Sequence, residues 1–545
     1  MAAKLRLPQI SWHGREPVLS VDASKGGLLA TGGSDNEVRL WRVNVGAQSG
    51  EAVSFVQDLS GHAKPVNAVR WDPSGGTLAS AGDDGMVMLW RDKGGGSWGP
   101  VCALRGHCAD VYDLSWSPNG EELISGSVDG SCIVWNIAKA KPQQTMRDHE
   151  HYVQGVAWDP CDGFVVSVSS DRSARVYAAQ KKAAAAPREF ACANVLSKRT
   201  QAPPPDDAAP PADGGGEPAA APPAAAAPAP AEGAEGAAAP AAAEPEAGEE
   251  GAAADAEAEA APARAANALG FVPRPKAGRY NLFLDDTVGS FFRRPAWAPD
   301  GSFLLVPCGQ HQGAPNEAPT PTTYVFARGA LSTPCAHLPS PSKPVVVTRC
   351  CPLLFELRPP ADDGAEGEGA AEGEGGRGGW MALPHRVVWA VATLDSVLLY
   401  DSQAAEPLLV ASGVHFAPLS DLAWLPDAAG LVVASTDGYC SLVLLEKGAL
   451  GTPLPQDKWP ECMRRAAAPP AAPPAAADGA KEATMAPPAA PAPVVQVPVA
   501  PVAVPPAPAP VAVPPPAAAA ASSSGEPAPK PKKRRITPEL VTPAP

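Results

Sequence analysis

His107, Ser125 and Asp129 are the three residue types of a hydrolytic triad, a nucleophilic hydroxyl, a base and an orienting carboxylate. The chemistry they would perform is acyl transfer. Their spacing argues against it. His107 and Trp135 stand 28 residues apart, with Ser125 four residues before Asp129 and Asp129 six before Trp135. His62, Ser80, Asp84 and Trp90 repeat that spacing, as do His13, Thr31, Asp35 and Trp41. His149, Ser167, Asp171 and Tyr177 repeat it with Tyr in place of Trp. A catalytic triad occurs once in a chain, whereas a structural network recurs with the element that carries it. Four copies therefore point to a repeated polar network.

The elements that must position such a network follow from the residues between. Val111 to Trp116 alternates apolar and polar side chains as a strand does. Ser117-Pro118-Asn119-Gly120 has turn composition. Glu122 to Ser127 forms the next strand, Asp129-Gly130 the favoured two-residue hairpin, and Cys132 to Trp135 a third strand. The Asp positions recur at intervals of 49, 45 and 42 residues, the period of WD-type propeller blades. In such a blade a buried His bridges the turn Asp while the hydroxyl and the Trp N–H complete the network. Lys4 to Ile10 can supply an outer strand that closes the ring against the last blade, which removes free sheet edges.

Further along, Trp297-Ala298-Pro299-Asp300-Gly301 repeats the Trp-x-Pro turn of Trp71, Trp116 and Trp158, and opens a fifth blade from Phe292 to about Phe326. A sixth runs from about Thr348 to Asp401 around Asp395, and a seventh from Ser420 to Val443. In the seventh, His415 and Asp437-Gly438 persist without the Trp. The expected fold is thus all-β, a seven-bladed propeller, four blades read from the ruler and three from partial matches. In Phe291-Phe292-Arg293-Arg294 the Phe residues are expected in blade core and the Arg residues at the rim.

Composition divides the rest. The chain has 545 residues and a formal net charge of −15. Residues 200–260 hold 13 Asp/Glu without Lys or Arg, and residues 361–379 hold 6 with one Arg, so the acidity lies in two inserts. The organisation expected is blades one to four over 1–182, a disordered Ala/Pro/Glu insertion over 183–275, and blades five to seven over 276–455 with an acidic loop at 359–380. A disordered Ala/Pro-rich tail follows over 456–528 and a basic segment over 529–545. The acidic tracts read as solvated filler ahead of a docking site for basic partners. The 11 cysteines contain no Cys-x-x-Cys pair and read as reduced thiols. No phosphate loop, zinc-protease helix or nucleophile elbow is present, and no metal or cofactor is expected. No 18-residue apolar run without Pro or charge falls in a foldable region, so a soluble chain without membrane contact is expected.

The terminal cluster Lys530, Lys532, Lys533, Arg534 and Arg535 reads first as a nuclear-import signal. A second reading adds forked Arg–carboxylate bonds and an apolar anchor at Ile536, followed by Thr537 and Pro538. Both can hold.

Several strings outside the repeat resemble the middle, WD-repeat subunits of chromatin assembly factor 1. They include Ser11-Trp12-His13-Gly14-Arg15-Glu16-Pro17, His151-Tyr152-Val153-Gln154-Gly155, Ser290 to Arg294, Arg349-Cys350-Cys351-Pro352 and Thr436-Asp437-Gly438-Tyr439. The resemblance implies a non-enzymatic nuclear scaffold in a histone chaperone complex. That complex serves replication- and repair-coupled nucleosome assembly by depositing histones three and four. It implies as partners the complex's large and small subunits, the anti-silencing-function histone chaperone and, directly or through these, histones three and four, with no sequence-specific DNA binding. Arg534-Arg535-Ile536-Thr537-Pro538 resembles the segment by which this family and the HIR-type chaperones bind that chaperone, with the Arg residues on acidic groups and Ile536 in an apolar groove. A HIR-type chaperone or a generic WD-repeat adaptor is the alternative. The two long inserts depart from the family pattern.

Overall fold

The computed structural model describes residues 3–8, 10–44, 52–180, 188–200, 279–313, 317–340, 342–359, 380–467 and 540–541. Its main unit is built from seven antiparallel sheets of four strands, one of them extended by a fifth. Blade one is Val18–Ala23, Leu28–Gly33, Val38–Val43 and Val53–Leu59. Blade two runs from Val66–Trp71 to Trp98–Arg105, blade three from Val111–Trp116 to Lys141–Met146, and blade four from Val153–Trp158 to Phe190–Leu196. Blade five runs from Ala296–Trp297 to Ala336–Pro339 and blade six from Val345–Cys350 to Leu409–Ser412. Blade seven takes three strands from Leu419–Trp424, Gly430–Ser435 and Cys440–Leu445, and its fourth from the start of the chain, Ala3–Arg6. That last pairing, with Leu5 opposite Val443, closes the ring.

Period-two alternation explains why the sheets stack radially. In Met86–Asp92, Met88 and Trp90 enter the gap toward blade one, while Val87 and Leu89 enter the gap toward blade three. Repeated around the ring, this produces seven separate apolar clusters, one in each gap between neighbouring blades. Each inner strand packs beside the next, and the seventh beside the first. Six inner strands carry a register shift near their start, between Val18 and Ser20, Val66 and Ala68, Val111 and Asp113, Val153 and Gly155, Val345 and Val347, and Leu419 and Asp421. A bulge there re-aims side chains toward the axis.

Blade five departs from the pattern because its inner strand is only Ala296–Trp297. The preceding residues replace the missing ladder. Arg293 N–H donates to the Gln154 carbonyl of blade four at 3.0 Å, and Arg294 N–H to the Val346 carbonyl of blade six at 2.9 Å. The expected placement of Phe291-Phe292-Arg293-Arg294 is reversed in part: Phe291 is 68% exposed, while Arg293 and Arg294 are wholly buried. The backbone bridges of this segment aim the Arg side chains inward.

Two boundaries also differ from expectation. Phe190–Leu196 lies inside the stretch assigned to the insertion from 183, yet it pairs along Ala174–Ala179 as the outer strand of blade four, with Phe190 and Leu196 buried. The helix Glu461–Ala467 lies past 456, where Met463, Trp459 and Cys462 join the cluster between blades five and six. Apolar anchors set these ends, not the Ala/Pro composition around them. Leu540–Val541 lies antiparallel beside Leu409–Ser412 as the fifth strand of blade six. A second, smaller unit (198–280 and 312–317) shows, among its described residues, the short strand Lys198–Thr200. The described residues hold no helix long and apolar enough to cross a membrane.

Gly155 stands where the chain of blade five crosses blade four. A Cβ there would overlap the Arg293 carbonyl oxygen, which is backbone and cannot swing aside. Gly155→Ala is expected to lower the melting temperature by several degrees or to leave the protein insoluble. Gly289→Ala, whose Cβ meets nothing within 4 Å, should melt as the parent does. Equal melts for the two variants in a thermal-shift assay would contradict this account.

Candidate functional site

The repeated quartets come together in space. In blade three, His107 Nδ1 lies 3.0 Å from Asp129, His107 Nε2 lies 2.7 Å from Ser125 Oγ, and Trp135 Nε1 lies 2.8 Å from the same hydroxyl. A carboxylate can only accept, so Nδ1 carries a proton. The indole N–H can only donate, so Ser125 Oγ accepts it and has a second lone pair and its own proton left for Nε2 and for the Ile133 carbonyl at 3.4 Å. His62 with Asp84, Ser80 and Trp90, and His13 with Asp35, Thr31 and Trp41, repeat this geometry within 2.7–2.9 Å. In blade four, His149 bridges Asp171 and Ser167 at 2.7 Å each, and the buried Tyr177 fills the Trp position.

Blade seven holds a fifth pair, His415 with Asp437 at 3.0 Å. Its hydroxyl comes from Ser441 on the third strand, 2.9 Å from Nε2, because Val433 occupies the place that Ser or Thr takes in the other copies. Burial alone would raise the pKa of Asp35, Asp84, Asp129, Asp171 and Asp437. The hydrogen bond and charge of the facing His outweigh it and hold each carboxyl below its ordinary value.

A second polar assembly, which the spacing rule did not reveal, sits on the axis. Asp421 is wholly buried and meets three guanidinium groups: Arg70 at 2.8 Å, Arg294 at 2.8 Å and Arg349 at 2.9 Å. Ser20 Oγ donates to it at 2.8 Å. Asp113 receives Arg70 at 3.1 Å from the other side. Arg294 also donates to the carbonyls of Ser420 at 2.9 Å and Asn67 at 2.6 Å. One side chain from blade five thus touches blades two and seven across the axis. Burial pushes against the Asp421 charge, and Arg294, Arg349 and Arg70 together hold its pKa well below the ordinary range. Burial lowers the Arg294 guanidinium to about 10 against the pull of Asp421. The one signal in the sequence is that Asp113 and Asp421 each stand three residues before an inner-strand Trp, Trp116 and Trp424.

Other buried pairs also fall outside the ruler. His385 bonds Asp300 at 2.7 Å, and Arg328 grips Asp159 with both terminal nitrogens at 2.7 and 2.6 Å. On the face of the Trp-x-Pro turns a cavity of about 640 Å³ opens beside Trp71, Trp424, Trp459 and Met463. Among the described residues no cluster of three or more His, Cys, Asp or Glu could hold a metal. Lys530, Lys532, Lys533, Arg534, Arg535, Ile536, Thr537 and Pro538 lie outside the described residues.

The family model described as the CAF1B/HIR1 beta-propeller domain matches residues 3–201 and 272–450, all seven blades with the insertion left out. The chain belongs to this family. It is 33% identical over 470 residues to the B-type subunit of chromatin assembly factor 1 from Mus musculus, covering 82% of this chain and 67% of that one. Against the chromatin assembly factor 1 subunit FAS2 homolog of Oryza sativa it is 31% identical over 454 residues, covering 82% and 73%. Protein HIR1 of Eremothecium gossypii is 28% identical over 191 residues, covering only 34% of this chain and 22% of that one. As a CAF1B/HIR1 propeller, the chain carries its family-like strings at structural junctions. Ser290 to Arg294 bridges blades four and six, with the Arg294 side chain reaching blades two and seven, and Arg349-Cys350-Cys351 ends the inner strand of blade six beside Asp421.

Two outcomes test this electrostatic account. Arg294→Met removes one of the three guanidinium partners of the buried Asp421 and leaves the Ser420 and Asn67 carbonyls without this donor, and is expected to cost about 2–4 kcal/mol. Arg172→Ala breaks the half-exposed pair with Asp285 and should cost at most about 1 kcal/mol. Thermal melts of both variants decide it, and a mild Arg294→Met would contradict the axial assignment. As for pH, the five His-paired carboxyls and Asp421 are held below their ordinary value near 3.8 in the folded chain. The unfolded chain therefore takes up protons first as pH falls, so their stabilisation is full above about pH 5 and fades below about pH 4. The melting temperature should drop steeply across that range. The drop should be shallower in Asp129→Asn, and a melt indifferent to acid down to about pH 3 would oppose it.

Proposed function

We propose that this chain is the propeller subunit of a chromatin assembly factor 1 type complex. It would work as a non-enzymatic scaffold in the nucleus for replication- and repair-coupled deposition of histones three and four. The observation that carries this reading is the extent of the similarity: 82% of the chain aligns with relatives named as chromatin assembly factor 1 subunits, in mouse and in rice alike. The HIR-type alternative rests on about a third of the chain. The architecture suits the role. A closed ring with buried polar networks offers rigid faces for the large and small subunits of the complex, and its recurrent His–Ser–Asp sets are occupied in fixing the loop and hairpin of each blade.

The basic segment supplies the link to cargo. Arg534 and Arg535 pair with carboxylates of an anti-silencing-function histone chaperone, Ile536 enters its apolar groove, and Thr537-Pro538 stiffens the exit. Histones three and four arrive with that chaperone. Lys530, Lys532 and Lys533 add to the charge read by the import machinery. Leu540–Val541, just beyond the segment, is able to add to a sheet edge, as its pairing with Leu409–Ser412 illustrates.

Co-purification of the tagged chain with the large subunit tests the scaffold assignment. Replacing Arg534, Arg535 and Ile536 together by Ala is expected to weaken chaperone binding by at least about 30-fold, since each is an anchor of the kind that dominates interfaces. The melting temperature and the capture of the large subunit should stay as in the parent. Undiminished chaperone capture by the triple variant would refute the segment's role, and failure to recover the large subunit would refute the scaffold.

A further inference from the structure

The two faces of the ring differ in what they expose. Inner strands begin on the face of the Asp-Gly hairpins and end at the Trp-x-Pro turns. Residues at the start of an inner strand, or just before it, therefore share one face with the hairpin turns. Blades two to four and the crossing segment place five notable side chains there. Tyr112 is the second residue of its inner strand, and Tyr152 directly precedes Val153–Trp158. Phe291 leads into the crossing, its carbonyl held by Gln154 Nε2 at 3.2 Å. Asp83 follows the second strand of blade two, and Asp110 precedes the inner strand of blade three.

Tyr112, Phe291, Asp83 and Asp110 form one patch, and Tyr152 stands at the head of the neighbouring inner strand on the same face. The Tyr112 ring lies 6.0 Å from Phe291 and 6.2 Å from Phe292, and Phe292 in turn lies under Arg294 at 4.0 Å. Asn67 Nδ2 donates both to Asp83 at 2.6 Å and to the Val111 carbonyl at 3.1 Å, which pins Asp83 beside the start of the Tyr112 strand. Tyr152 is 48% and Phe291 68% exposed, whereas most aromatic residues in the gaps between blades are buried. Apolar rings left on open surface around a carboxylate pair lose the benefit of burial unless something covers them.

The charges indicate what that is. Asp110 is raised from its ordinary value by burial and by Asp83, with the exposed Lys64 opposing. Tyr112 is pushed up to about 12 by burial and by the charges of Asp110 and Asp83, with Tyr152 adding to it. Negative potential is concentrated at a spot whose walls are aromatic faces, themselves negative at the ring centre. An added cation relieves the repulsion and gains the ring quadrupoles together.

We propose that Tyr112, Tyr152 and Phe291 with Asp83 and Asp110 receive a lysine side chain, free or methylated, from an extended basic peptide of a partner protein. The rings flank the aliphatic stem and the head of the ammonium group, and the carboxylates supply counter-charge. This site lies on the folded ring and is separate from the basic terminal segment.

The test uses the full-length chain and a fluorescent peptide of Lys, Ala and Gly, against the same peptide with norleucine for lysine and with trimethyl-lysine for lysine. Anisotropy should show binding of the lysine and trimethyl-lysine peptides and loss with norleucine. Phe291→Ser, Tyr152→Ser and Asp110→Asn should each weaken it by roughly five- to thirty-fold. Glu121→Gln, an exposed carboxylate change at a turn on the opposite face, should leave it unchanged. All four positions lie on the surface or partly exposed, and unchanged melts would establish that the variants are folded. Equal binding of the norleucine peptide, or equal loss in Glu121→Gln, overturns the proposal. A tenfold gain in affinity on neutralising Lys530, Lys532, Lys533, Arg534 and Arg535 would put this chain's own tail in the site, and so overturn the assignment to a partner.

Discussion

The Asp421 carboxylate and the three guanidinium groups around it are the constraint on which the ring depends. A propeller is assembled from units that satisfy their backbone within each sheet, so nothing in a single blade dictates how many blades there are. The apolar gaps hold neighbours together but are similar from one gap to the next. Asp421 and Arg294 differ because they connect elements that are not neighbours. Arg294 leaves blade five, ends among Asn67, Ser420 and Asp421, and meets them only when seven blades surround the axis. A charge so buried is tolerable only when paired and fully bonded. The axial set therefore penalises any arrangement of blades that leaves one of its charges unpaired.

The His–Asp pairs obey a different logic. Each is local to its blade, joining the loop before the inner strand to the hairpin between the second and third strands. Such a network is satisfied whether or not the ring is closed. Its worth is the rigidity it gives a loop that would otherwise have few apolar contacts, at the modest energy of a satisfied hydrogen-bond chain. That difference explains the sequence pattern. A local network must recur with every blade that needs it, whereas an axial one is made once.

The same distinction governs what is legible in the chain. The blades, their period and the closing strand were legible because the interval from His to Trp is set by strand and turn lengths within one sheet. The hydroxyl of blade seven escaped the ruler because Ser441 approaches from the adjacent strand, a substitution that sheet geometry permits and linear spacing hides. Outer strands such as Phe190–Leu196, Ala336–Pro339 and Leu409–Ser412 were not legible, because they carry no ruler residue and mix buried with exposed positions. Arg293 and Arg294 were misplaced at the rim for the usual reason that a charge suggests solvent. Their burial is decided by backbone bridges to Gln154, 139 residues before Arg293, and to Val346, 52 residues after Arg294.

Rigidity and recognition meet on the hairpin face. The pair His149–Asp171 fixes the loop that leads three residues later to Tyr152, and His107–Asp129 fixes the one that leads to Tyr112. Phe291 is held from the other side, since Gln154 binds its carbonyl and Arg293 and Arg294 anchor the residues that follow it. Exposed aromatic rings on floppy loops would collapse onto each other or onto the surface. Rings on pinned loops keep their faces open, so a ligand does not have to order them when it arrives, and ordering costs are among the main losses in binding. The structural quartets thus act on function at one remove: they prepare the surface next to them, while the axial charges tie together blades that are not neighbours.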